Sequence, residues 1–131
     1  MPDGRSSLEI EIKAFFDAYG DTFAKKPAIA ATFYSEPCIT ARSGVVRAHA
    51  SHADLAALFA ELDKQYRDRG YTHTDYVSFD WQSLGVNGGL ATLRWAYKDP
   101  EERAIWHTTY SYNLYKRDGA WKILMQTMHD A

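Results

Sequence analysis

The sequence predicts an α+β protein on three observations. The N-terminal half carries apolar residues at helical spacing, the period switches to two after Tyr71, and the last third folds back on itself at Asp118-Gly119. Helices first and an antiparallel meander second place three N-terminal helices on one face of a curved sheet. The last hairpin organises the rest. Asp-Gly between two β-rich runs is a strong hairpin signal, because both turn residues must tolerate φ > 0. With that pair as the turn, Leu114 lies beside Ile123, Tyr112 beside Met125, Tyr110 beside Thr127 and Thr108 beside His129. Alternation puts this set on one face with Trp106 and Trp121, apolar near the turn and polar towards Thr108 and His129.

The elements follow in order. Residues 1–5 are expected as a disordered tail and residues 6–131 as a single domain. Ser6 and Glu9 have the spacing of a capping box for the first helix, whose stripe is Leu8, Ile12, Phe15, Phe16, Tyr19 and Phe23. Gly20 weakens its far end. Lys25-Lys26-Pro27 breaks the chain, and Pro27 suits the first turn of a short second helix with Ile29 and Phe33 inward, ending at Glu36-Pro37. Cys38–Arg42 and Val45–Ala48 read as two short strands joined at Ser43-Gly44. Ser51 caps a third helix that buries Leu55, Leu58, Phe59, Leu62 and Tyr66 and stops at Gly70. Residues 72–84 and 90–98 are then strands, with turns at Asn87-Gly88-Gly89 and Asp99-Pro100.

Composition narrows the function. The 131 residues carry a net charge of -2, and their 15 basic residues form no stripe, so nothing favours nucleic acid or an anionic membrane as a partner. Aromatics at 15% are abundant, which suits a lined pocket or an interface as well as a core. Cys38 stands alone and is expected as a small buried hydrophobe at a strand start. With neither a signal-peptide pattern nor a membrane-spanning run, the expected location is the cytoplasm.

Helix, short helix with Phe-Tyr-Ser-Glu-Pro after it, small hairpin, helix and four long strands ending in Arg-Asp-Gly-Ala-Trp-Lys-Ile form an order with a known likeness. It resembles the nuclear transport factor 2-like superfamily, the cone-shaped α+β fold of SnoaL-like polyketide cyclases, steroid isomerase and scytalone dehydratase. The carriers are Ile29–Phe33 and Lys116–Ile123, and the likeness runs from about Ser7 to His129. It implies a deep pocket between the concave sheet and the helices, and no cofactor is expected. It also implies a homodimer through the outer sheet face, here His107, Thr109, Ser111, Asn113 and Tyr115 with Thr92 and Arg94. Fold alone does not license a reaction.

The steroid-isomerase residues do not carry over. Its aspartate base falls at about Ala41, beside Arg42, and its tyrosine near Phe16 and Asp17. Other acid–base candidates lie on the strands. His73 and Asp75 are two residues apart, and a carboxylate beside an imidazole raises its basicity and fixes its tautomer. His129 is the second candidate base. The expected ligand pocket is lined by Phe16, Tyr19, Phe33, Arg42, Phe59, Trp81, Trp95, Trp106, Thr108, Tyr110 and Tyr112, with Tyr19, Tyr110 and Arg42 able to polarise a carbonyl. His49 and His52 have a spacing that some metal sites use, but no fixed motif supplies further ligands, so no metal is expected. Two readings stand: a cofactor-free isomerase, cyclase or dehydratase acting on a small apolar cyclic molecule, or a non-catalytic binding or assembly module.

Overall fold

The computed structural model describes residues 4–130. Helix α1 (Gly4–Lys25) begins two residues before Ser6, so Ser6 is not its cap; residues 1–3 of the expected tail lie outside the described residues. Ile12, Phe16 and Tyr19 are the fully buried part of its stripe, with Leu8, Phe15 and Phe23 packed beside them. Gly20 has a packing reason to be there, since a Cβ would lie 3.0 Å from the Trp95 ring.

Helix α2 is a single turn (Pro27–Ala30) continued by a 3-10 turn (Ala31–Phe33), and strand β1 (Tyr34–Arg42) starts at once. The helical stretch therefore ends before Tyr34, not at Glu36-Pro37, which lies inside the strand. Ala30 and Ala31 are its buried residues, while Ile29 is 49% exposed and faces outward, against expectation. Close approach of this short turn to the core favours alanine over a bulkier side chain.

Ser43 (φ 52) and Gly44 (φ 76) turn β1 into β2 (Val45–His49). Helix α3 (His52–Asp68) starts on Ser51, whose side chain accepts from the Asp54 N–H at 3.2 Å, and it ends just before Gly70. Strands β3 (His73–Ser83), β4 (Gly88–Lys98), β5 (Ala104–Arg117) and β6 (Ala120–Met128) complete one curved sheet in the order β2-β1-β6-β5-β4-β3. All neighbours are antiparallel except β1 and β6, whose parallel pairing brings the first strand against the last. The helices cover the concave face, and Phe16, Phe59, Leu93, Tyr112, Leu114 and Ile123 lie at the centre of the core.

Two β-bulges decide what faces that core. Val77 is an extra residue in β3: Tyr76 pairs with Trp95, and Ser78 with Arg94. Leu124 is an extra residue in β6: Ile123 pairs with Leu114, and Met125 with Asn113. Because the side-chain period is two, one inserted residue exchanges the faces of everything beyond it. The hairpin register expected from the turn holds for Leu114 and Ile123. Past Leu124 it shifts, so that Tyr112 pairs with Gln126 and Tyr110 with Met128.

Candidate ligand site

The inward residues of β4 and β5, namely Trp95, Tyr97, Tyr110 and Tyr112, meet Tyr19 from α1, Tyr34 from β1 and Tyr66 from α3 inside the cone. Tyr97 stacks on Trp106 at 4.4 Å, and Tyr110 on Tyr112 at 5.8 Å. These rings nearly fill the space. The cavity lined by Tyr19, Tyr66, Trp95, Tyr97, Tyr110 and Tyr112 is about 40 Å3, room for a few waters. The tyrosines therefore take up most of the space where the family resemblance implies a deep central pocket.

The hydroxyls form a connected network. Tyr19 and Tyr34 share a 2.8 Å hydrogen bond, Gln126 Nε2 donates to the Tyr34 oxygen at 2.7 Å, and Trp95 Nε1 donates to the Tyr112 oxygen at 2.9 Å. Arg42 Nη1 donates to the Tyr110 oxygen at 2.9 Å and to Gln126 Oε1 at 3.3 Å, while its Nη2 reaches the Tyr66 oxygen at 3.4 Å. Gln126 takes this central place because of the Leu124 bulge. Burial, ahead of every other cause, raises the phenols of Tyr19, Tyr34, Tyr97, Tyr110 and Tyr112 above their ordinary range, so they stay neutral donors. Burial works against the Arg42 charge, but the oxygens of Tyr110 and Tyr66 outweigh it and hold the guanidinium above its usual pKa.

Arg42 also lines an open cavity of about 200 Å3 between the β1–β2 hairpin and α3, with Thr40, Arg47, Leu58, Glu61 and Leu62 among its walls. Among the described residues no carboxylate lies within salt-bridge distance of Arg42. Thr40 and Arg42 are alternate residues of β1 and point to the same face. Behind Thr40 sits His49, 3% exposed, with Nε2 2.9 Å from Thr40 Oγ1 and Nδ1 3.4 Å from Asp54 Oδ2. This cluster escaped the sequence reading, which paired His49 with His52. Their environments differ: His52 Nε2 lies 2.7 Å from the Tyr34 carbonyl oxygen. The signal was present in the hairpin itself, because a turn at Ser43-Gly44 places His49 opposite Cys38 and diagonal to Thr40.

The expected bases lie elsewhere. His73 and Asp75 pair with Lys98 and Ala96, on the face of β3 opposite Thr74 and Tyr76, and His129 lies on the outer face with Nε2 2.8 Å from Ser111 Oγ. Each sits beyond a bulge, and the one-residue shift turned it out of the cone. His73 and Asp75 border a cleft of about 490 Å3 between α1 and β3, and Asp75 is bound by Lys98 at 2.8 Å rather than by His73. His73 Nε2 lies 3.0 Å from Glu102. The donor atoms of His73, Asp75 and Glu102 lie within 4.8 Å of one another, close enough to hold a cation, but the Lys98 ammonium already pairs with both carboxylates, at 2.8 Å from Asp75 and 3.7 Å from Glu102.

Of the other expected pocket residues, Phe16, Tyr19, Arg42, Trp95, Tyr110 and Tyr112 border a cavity or cleft. Phe33 packs on Phe15 and Tyr19, and Phe59 on Phe23 and Tyr34, as core. Trp81 is remote, edge-on to Trp121 at 5.9 Å, while Trp106 lies under the Arg69 guanidinium at 3.7 Å. Thr108 pairs with Trp95 and borders none of these cavities. Cys38 is buried as expected, and burial pushes its thiol up to about 11. No helix among the described residues is long and apolar enough to cross a membrane.

Solved structures share this architecture. Aln2 from a Streptomyces species superposes with a TM-score of 0.78 at 8% identity, over 98% of this chain and 93% of its own. An NTF2-like protein with a cystatin-like fold from Novosphingobium aromaticivorans gives 0.72 at 13% identity, over 98% and 90%. An NTF2-like protein of unknown function from Shewanella oneidensis gives 0.71 at 16%, over 94% and 99%. At such identities the likeness is one of fold. No curated protein matches the chain. The family described as NTF2-like protein (DUF6841) matches residues 9–131, and the chain belongs to it.

Proposed function

We propose that this chain is a small-molecule-binding domain whose ligand presents a carboxylate or polarised carbonyl oxygen to Arg42. The observation that carries the reading is a half-buried guanidinium held only by neutral oxygens, from Tyr66, Tyr110 and Gln126, at the wall of an open cavity. A buried charge gains most from an opposite charge, and a planar guanidinium suits a planar oxygen pair. Leu58, Leu62 and Val45 supply apolar wall for the rest of a small ligand. Arg42 and Arg47 both line the cavity against one carboxylate, Glu61, so its charge balance favours an acceptor.

The test uses phenylpyruvate, which joins a carboxylate, a carbonyl and an apolar ring, with benzylamine as the cationic control. Calorimetric titration should detect phenylpyruvate and not benzylamine. Arg42→Gln should weaken binding by about 10- to 100-fold, the worth of a charge-assisted hydrogen bond. Equal binding by Arg42→Gln removes the reading. The geometry favours binding over catalysis by His73, Asp75 or His129, since none of the three reaches this cavity. The outer sheet face, with Thr92 bonded to Ser111 and with Tyr115 exposed, is our proposed self-association surface; a monomer by light scattering at micromolar concentration would remove it.

A further inference from the structure

We infer that the Arg42 cavity is built for an acidic α-amino acid, with the side-chain carboxylate on Arg42, the ammonium on Glu61 and the α-carboxylate on Arg47. The inference rests on the Arg42 reading above and names the ligand class of that same site. Three charged side chains line the cavity, and that reading uses only one of them as a contact. Arg42 is half-buried, while Arg47 and Glu61 are exposed and open to a ligand. Among the described residues, none of the three lies within ion-pair distance of an opposite charge.

Local structure sets where these charges stand. Across the β1–β2 hairpin Arg42 pairs with Val45 and Thr40 with Arg47, so all four side chains share the face turned towards α3. Arg42 and Arg47 are diagonal neighbours on that face, about 7–8 Å apart along the backbone. Their guanidinium groups diverge from there. Arg42 is held inward by Tyr66, Tyr110 and Gln126, whereas Arg47 also borders the adjoining cavity of about 390 Å3. The opposite wall is the α3 face of Leu58, Glu61, Leu62 and Gln65, residues at helical spacing. Glu61 borders both cavities, as Arg47 does. One end of the site therefore holds a single cation, and the other holds a cation and an anion.

A ligand that matches this pattern carries a carboxylate at one end and a carboxylate beside an ammonium at the other. An α-amino acid with an acidic side chain has that arrangement. Its two anions and one cation meet two cations and one anion on the walls, so every charge gains a partner. A plain dicarboxylate sets its second anion beside Glu61 with no ammonium to offset it, and an amino acid with an apolar side chain leaves Arg42 without an anion. Val45, Leu58 and Leu62 lie against the methylenes between the two ends. The half-buried Arg42 contributes the larger share of affinity, because water screens the exposed Arg47 and Glu61.

The experiment is calorimetric titration in low-salt buffer with L-glutamate, glutarate and L-norvaline. Glutarate lacks the ammonium, and norvaline lacks the side-chain carboxylate. Wild type should bind glutamate about 5-fold tighter than glutarate, the worth of an exposed pair, and about 10-fold or more tighter than norvaline, the worth of a charge-assisted bond to Arg42. Glu61→Gln should abolish the preference over glutarate, and Arg47→Gln should weaken glutamate binding about 5-fold. Both residues are exposed, so both variants keep the fold. Glutamate that binds no tighter than glutarate, or a preference that survives Glu61→Gln, overturns the inference. Phenylpyruvate binding alongside that failure leaves the Arg42 reading standing. Glutamate and phenylpyruvate bound equally by wild type and Arg42→Gln remove both.

Discussion

Tyr34→Phe is the sharpest test of the interior network. The Tyr34 hydroxyl is fully enclosed, bonds Tyr19 at 2.8 Å and accepts from Gln126 Nε2 at 2.7 Å. Removing it leaves a cavity smaller than a water and two unpaired polar groups. Gln126, 3% exposed, cannot recover by turning its amide over, because its oxygen is 3.3 Å from Arg42 and the turn would set NH2 against a cation. An unsatisfied buried amide donor costs about 1–3 kcal/mol, so the variant should lose about 2 kcal/mol. With an unfolding entropy of about 2 cal/mol/K per residue, that lowers Tm by about 7 °C for a chain of this length. Tyr19→Phe should cost less, because Tyr34 keeps its Gln126 partner, and the double variant should fall short of the sum of the two. The assay is thermal unfolding followed by circular dichroism. A Tm within about 2 °C of wild type would refute the idea that this hydroxyl couples the helices to Arg42.

Gly89→Ala sets a Cβ against the face of the Trp81 ring, far inside contact distance, so the indole must move; a loss of about 2 kcal/mol and a changed near-ultraviolet signal are expected, and an unchanged Tm would contradict the packing. The Trp121 indole N–H, and to a smaller extent Lys116, hold the Glu11 carboxyl below its ordinary range against a partial burial penalty. A depressed folded pKa gives stability that is present above the unfolded value and lost as pH falls through the folded one, so the difference between wild type and Glu11→Gln should shrink below about pH 4.5. A pH-independent difference would contradict that linkage. Val77 is 56% exposed, so Val77→Ala should cost under about 0.5 kcal/mol by denaturant unfolding. Deleting Val77 should leave every face in place, because Tyr76–Trp95 and Ser78–Arg94 then follow each other as an unbroken ladder and Asp75 stays opposite Ala96; a loss of about 3 kcal/mol or more would show that Val77 is not the extra residue.

The two bulges also mark the boundary of what the chain disclosed before folding. Element order, the turn at Asp118-Gly119, the Ser51 cap and the inward row of Ala91, Leu93, Trp95 and Tyr97 are local patterns, and all appear in the structure. A face assignment is less local. It carries along a strand only while the pairing is unbroken, and neither Val77 nor Leu124 announces itself: no glycine marks the site, and each fits a regular strand by propensity. Both sets of expected bases were reached by counting past one of these residues, so both came out on the wrong side of the sheet. Arg42 and Tyr110 needed no such count, since each lies next to an uninterrupted turn or core row. The Thr40–His49–Asp54 cluster needed contacts among β1, β2 and α3, and only the first of those junctions, Ser43-Gly44, is written as a turn. The tyrosine-filled cone is harder still. Pocket wall and packed core have the same aromatic residues in the same alternation, and which one results depends on whether the rings meet, as Tyr97 meets Trp106 and Tyr110 meets Tyr112. Composition supplies the rings, and packing decides whether they leave room. Here they leave almost none, and the cavity beside Arg42 has no aromatic wall.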